Sequence, residues 1–126
     1  MPIIPENKGR YPADWKERNA MNKERLPSQT ALQKILSYNP QTGALTWLRR
    51  YDRSDNWNSR WAGKPALNNI AKHGYLRGSL NGSYPYQHRV IFKIMTGLEP
   101  PQIDHIDGCR TNNAWGNLRA ADAQLN

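Results

Sequence analysis

Hydrophobic positions along this chain fall into short, separated clusters, each with its own period. In SQTALQKILSYNP (residues 28–40), Leu32, Ile35 and Leu36 recur at three- and four-residue spacing and predict a helix with Ser28 as its N-cap. Pro40 and Gly43 turn the chain into ALTWLRR, a short strand with Leu45 and Trp47 on one side. GYLRGSLNGSYPYQHR reads as a β-hairpin: Tyr75, Arg77 and Ser79 alternate with Leu76, Gly78 and Leu80, and Asn81-Gly82 suits a tight turn. HRVIFKIMTG brings Val90, Ile91, Ile94 and Met95 to one helical face and ends at Gly97; it is the predicted central core helix. QIDHID is a strand in which Ile103 and Ile106 frame Asp104 and His105. A polar loop, GCRTNNAWGN, follows it, and NLRAADAQLN has helix-forming composition with Asn117 at its N-cap.

Other stretches carry weaker patterns. Residues 1–12 hold Pro2, Pro5 and Pro12 and read as an extended arm. ADWKERNAMNKERL forms at most a polar helix, because Trp15, Met21 and Leu26 make no continuous stripe; Pro27 ends it. Residues 51–73 show neither period and are expected to be a long loop. Trp57 and Trp61 lie there among Arg53, Arg60 and Lys64, where they either stack on bases or fold inward as core bulk; the small core favours the second. The expected architecture is α+β, with small β-hairpins and helices. Residues 1–27 form an N-terminal arm and polar helix, and residues 28–126 one domain.

Composition narrows the function. Apolar residues make up 37% of the 126, so the core is modest, though five Trp and six Tyr add bulk. A formal charge of +8 favours a polyanionic partner, above all nucleic acid. Candidate phosphate contacts are Arg49, Arg50, Lys64, Arg77, Arg89 and Arg119. A single cysteine, Cys109, excludes an internal disulfide and a multi-cysteine zinc site, and is taken as incidental. No apolar run approaches the roughly 18 residues of a membrane span, and MPIIPENKGR lacks the apolar stretch of a signal peptide. A cytoplasmic location is therefore expected, with no membrane partner. His88, beside Arg89, is read as a packing residue, and His73 as a solvated loop residue.

The chemistry gathers at the end of the chain. Asp104 offers a hard oxygen to Mg²⁺ or a similar cation, an Asn carbonyl can be a second ligand, and a neutral His beside them can take a proton from water. Adjacent strand residues point to opposite faces, so Asp104 and His105 converge on one point only if the strand end twists or bulges.

IDHIDGCRTNNAWGNLR resembles the HNH endonuclease motif in the variant found in phage homing endonucleases and free-standing phage HNH proteins. LSYNPQTGALTWLRR, AGKPALNN, HGYLRGSLNGSYPYQHRVIFKIMTG and PPQIDHIDG follow the order seen in such proteins, so the likeness covers roughly residues 32–126. It implies a ββα-metal finger at about 102–126, one divalent ion (Mg²⁺, Mn²⁺ or another), duplex DNA as substrate, and a bacterial or phage-infected cell. By the same likeness His105 is the general base and Asp104 a metal ligand. Asn117 is the middle Asn that holds loop and base, and Asn126 is the ligand contributed by the helix. Two departures stand out. Asn112 occupies a position where the family favours Asp, and Asn126 is the last residue. They motivate an alternative expectation, a catalytically weak or inactive HNH-derived protein that binds DNA or a protein partner. A partner chain that completes the site is a third.

Overall fold

The computed structural model describes residues 25–121. The proline-bearing arm and most of the polar helix expected ahead of Pro27 lie outside the described residues. The first helix, α1 (Gln29–Ile35), starts where expected, with Ser28 Oγ accepting the N–H of Ala31 at 3.1 Å. It stops before Leu36 because Leu36–Tyr38 is strand β1, paired antiparallel with β2 (Leu45–Trp47). Leu36 lies opposite Trp47, and both are buried. Between the strands, Gly43 adopts φ 84°, a left-handed conformation that suits a residue without Cβ.

The long loop expected over 51–73 contains a helix, α2 (Asp55–Trp61). Ser54 Oγ accepts from Trp57 N at 3.1 Å to cap it. No apolar stripe announced this helix because its one buried residue is polar. Asn58 is buried and grips the backbone of Arg50 from both sides, accepting from its N–H at 2.7 Å and donating to its carbonyl at 2.8 Å. Trp57 packs on the core with its ring edge-on to Trp47, centroids 5.4 Å apart, whereas Trp61 is exposed.

Next come β3 (Asn69–Ile70), a 3₁₀ turn at Lys72–Gly74, and β4 (Leu76–Arg77), which pairs antiparallel with β3. The predicted hairpin is right at its tip, where Asn81 and Gly82 take φ 48° and 85° between the bridged Leu80 and Ser83. Its sides thin to single bridges such as Arg77 to Tyr86, and the continuous partner of β4 is β3. The alternation nevertheless decides burial, since Leu76, Gly78 and Leu80 all face inward.

Helix α3 (Gln87–Thr96) is the central element, closed by Gly97 at φ 81°. Val90, Ile91, Phe92 and Ile94 join Leu32, Leu36, Leu45, Trp47, Trp115 and Leu118 in one core cluster. Each fully buried side chain of this kind contributes roughly 1.5–3 kcal/mol. Strand β5 (Gln102–His105) pairs antiparallel with β6 (Leu118–Ala121), and a 3₁₀ turn at Trp115–Asn117 leads into β6. The helix expected from Asn117 onward is thus a strand over 118–121. Leu118 and Ala120 alternate inward onto the core while the backbone completes the edge of β5, and that pairing overrides the helical preference of Leu-Arg-Ala-Ala. Residues 122–126 lie outside the described residues.

One buried charge pair ties α3 to the chain on either side. Lys93 Nζ donates to Glu99 Oε2 at 2.9 Å, and the Glu99 carboxylate also accepts the backbone N–H groups of Arg25 and Leu26. Burial pushes the Glu99 carboxyl up, but the Lys93 ammonium and the two N–H donors hold it below its usual range. Removing one partner leaves the other charge buried without compensation, which typically costs about 3–5 kcal/mol. Lys93→Met is therefore expected to destabilise by that amount in urea titration. Lys93→Met with Glu99→Leu is expected to recover most of the loss, and an equal loss in both variants would show that the pair itself is not the cause.

Candidate active site

His105 is the last residue of β5 and lies opposite Leu118, while its neighbour Asp104 lies opposite Arg119. The pleat separates the two side chains. Asp104 takes the more open face and meets Arg119 Nη2 at 3.3 Å, both side chains being partly exposed. His105 turns toward the protein, where Asn113 Oδ1 stands 2.7 Å from its Nε2. Its ring also packs against Tyr75 (centroids 5.7 Å) and edge-on against His88 (5.0 Å).

Helix α3 starts with Gln87 and His88, so its first turn forms the wall behind His105. His88 is buried and stacks on Tyr86 at 5.5 Å, in keeping with the packing role expected for it. Burial first, then the neighbouring His105 and Arg89, pushes its pKa down to about 3, so the ring is neutral at physiological pH. Tyr75, His88, Arg89 and Asp104 line a pocket of about 310 Å³. His73, expected in solvent, is exposed.

The loop from Ile106 to Ala114 holds its shape through side-chain amides. Asn117 Oδ1 accepts from Asp107 N at 2.9 Å, and its Nδ2 donates to Asp107 Oδ1 (2.9 Å) and to the Asn112 carbonyl (2.8 Å). Asn117 is thus a brace across the loop rather than the N-cap of a helix. Asn112 Nδ2 donates to Asp107 Oδ2 at 2.9 Å, a bond that an aspartate there could not make while ionised. With the Asn112 amide and the Cys109 N–H as its main partners, Asp107 sits below the usual carboxylate range.

The β1–β2 turn supports this loop from behind. Trp115 N donates to the Pro40 carbonyl at 2.8 Å, and the Tyr38 hydroxyl donates to the Asn113 carbonyl. A Cβ at Gly43 would lie 2.6 Å from the backbone of Asn113 and Ala114, so only glycine permits this approach.

The predicted cations divide by environment. Lys64 is exposed, as is Arg49, which pairs with Asp55 at 3.2 Å. Arg119 lies on the exposed face of the ribbon. Arg77 donates to the Tyr84 carbonyl and stacks over the Tyr86 ring at 4.3 Å. Arg89 is partly buried and donates to the Pro100 carbonyl at 2.8 Å. Arg50 corrects the expectation of a phosphate contact. Its side chain is buried, bound through Nε (3.0 Å) and Nη2 (2.7 Å) to Asp52, with Nη2 also on Asn81, so its donors serve the interior. Arg110, which sequence reading did not single out, stacks over Tyr75 at 4.9 Å beside the site.

Asn126 lies outside the described residues. No group of three or more His, Cys, Asp or Glu is gathered to hold a metal among those described. Nor does any described helix have the length and apolarity to cross a membrane. Sequence reading missed Gln87 and Asn113, because an amide carries no distinctive signal until its partners are known. The Asn112-Asn113 pair was the one visible hint.

Residues 86–126 match a family model described as HNH endonuclease. Neither the curated proteins nor the solved structures gave a match. The matched segment runs from the turn before α3 through the β5–β6 ribbon, and so contains His105, Asn113 and Asn117.

Burial of neutral His88 links stability to pH. The unfolded ring titrates near its ordinary 6.5 and the folded ring near 3, so the unfolded chain binds the extra proton between those values. Stability is fully present above pH 6.5 and falls as pH drops, approaching about 1.4 kcal/mol per pH unit. Urea midpoints between pH 7.5 and 5, above the range where carboxylates contribute, are expected to show this slope. His88→Phe is expected to flatten it, and an unchanged slope in that variant would place its origin elsewhere.

Proposed function

We propose that this chain, whose residues 86–126 carry the HNH endonuclease match, is a metal-dependent DNA endonuclease that hydrolyses phosphodiester bonds. The observation that carries this reading is the setting of His105. Its imidazole ends a ribbon strand one residue after Asp104, and the partner at its Nε2 is the side-chain amide of Asn113. An imidazole so placed is suited to take a proton from water, and the resulting hydroxide to attack phosphorus as the P–O bond to the leaving strand breaks.

The donor chemistry suits a hard dication. Asp104 presents a partly exposed carboxylate, and Mg²⁺ commonly takes one or two protein carboxylates and keeps several waters. Asp104, with Asn126 as its family counterpart, would hold the ion. When bound, it supplies positive charge against the phosphate. Arg49, Lys64 and Arg119 are exposed cations suited to backbone phosphates, within a chain of net charge +8. Asn117 acts on the loop that carries the site rather than on substrate.

The Asp104–Arg119 contact favours a second reading. While Arg119 occupies Asp104, the carboxylate is already neutralised, as suits an HNH-derived protein that binds DNA without cutting it.

Supercoiled plasmid incubated with the protein and Mg²⁺ or Mn²⁺ separates the two. Metal-dependent nicking that stops with EDTA and drops by about 10²-fold or more in His105→Ala, with DNA binding retained, is the expected outcome. A mobility shift without nicking at any metal concentration selects the binding protein instead.

A further inference from the structure

Behind His105 runs a chain of hydrogen bonds whose direction can be read from its far end. Gln87 Nε2 donates to two backbone carbonyls, Ala66 at 3.0 Å and Leu67 at 3.3 Å. A carbonyl only accepts, so the Gln87 amide has one workable orientation, with Oε1 toward Asn113. Asn113 Nδ2 donates to that oxygen at 2.7 Å, which turns Asn113 Oδ1 toward His105. Reversing either amide would set oxygen against oxygen inside the protein, because Gln87 and Asn113 are both buried. His105 Nε2, 2.7 Å from an oxygen that only accepts, must carry a hydrogen.

The structure assigns Gln87 and Asn113 the role of positioning residues that lock His105 in its Nε2–H tautomer and leave Nδ1 as the one nitrogen able to accept a proton. The catalytic meaning of this assignment rests on the nuclease reading, but the tautomer does not.

The anchor is built at a conformational cost. Successive carbonyls of an extended chain point to opposite sides, yet those of Ala66 and Leu67 both reach one amide. Leu67 stands at φ 53°, a left-handed conformation that L residues with a Cβ avoid. Gly78 makes room for it, since a Cβ there would lie 2.6 Å from Leu67 Cα. Relief of that strain would be expected unless the converging carbonyls were held in place, and Gln87 is the side chain they hold.

The test is ¹⁵N and ¹H NMR of His105 in metal-free protein at a pH where the ring is neutral. The wild type is expected to show a pyridine-like Nδ1 and a protected hydrogen on Nε2. In Gln87→Leu that hydrogen is expected to exchange about tenfold faster, as for loss of one ordinary hydrogen bond. Asn113→Ala should remove the protection. A hydrogen on Nδ1 in the wild type overturns the assignment, as does equal protection in all three proteins. Should a variant fail to fold, the wild-type spectrum still decides. An inert wild type in the plasmid assay with the Nε2 hydrogen in place would sink the nuclease reading and leave the relay standing. Active protein with the hydrogen on Nδ1 would do the reverse.

Discussion

A loop crowded with polar groups has to pass directly behind His105, and the burial of Asn113 is what makes that passage stable. A buried amide costs several kcal/mol unless its donor and acceptor are both used. Here Oδ1 faces His105, Nδ2 faces Gln87, and the residue's own carbonyl takes the Tyr38 hydroxyl. Three parts of the fold converge on that residue: the β5 strand end, the first residue of α3, and the β1–β2 hairpin. None is close to the others in sequence, so the position of the imidazole reports whether the whole domain has assembled.

The surrounding structure reads as support for that convergence. Gly43 lets the hairpin turn lie against the backbone of Asn113 and Ala114 where any other residue would collide. Gly78 does the same for Leu67, whose carbonyl belongs to the anchor of Gln87. On the other side of the loop, Asn117 joins Asp107 to Asn112 and closes the segment into a fixed arc. Helix α3 is in turn fastened by the buried Lys93–Glu99 pair, which also receives the chain at Arg25 and Leu26. Asp104 stands apart from this scheme. It faces outward beside Arg119, the one acidic group of the ribbon left partly open to a cation or a phosphate-bound ion.

Much of this was legible in the sequence where a single period or a single residue type carried the information. Ser28, the Asn81-Gly82 turn, the apolar face of α3 and its Gly97 stop each depend on local chemistry, and each occurs as read. Helix α2 was illegible because its buried side chain is Asn58, so polarity hid the helical face; its Ser54 cap was the available clue. Leu118–Ala121 was misread because its composition suits a helix, and only the free edge of β5 makes it a strand. Arg50 looked like its neighbour Arg49 along the chain and differs from it entirely in burial.

What the sequence by itself determined was the α+β class, the strongly positive charge and the Asp-His-loop-Asn order that ties the C-terminal segment to a known motif. These are properties of composition and short spacing, which survive without coordinates. Tertiary structure alone decided which way the His105 ring faces, which arginines remain exposed, and that two uncharged amides stand behind the imidazole. Hydrogen-bond direction depends on where the last acceptor sits, and here that acceptor is backbone carbonyl 21 residues away from Gln87 in the chain. No local pattern encodes such a distance; only the folded contact does.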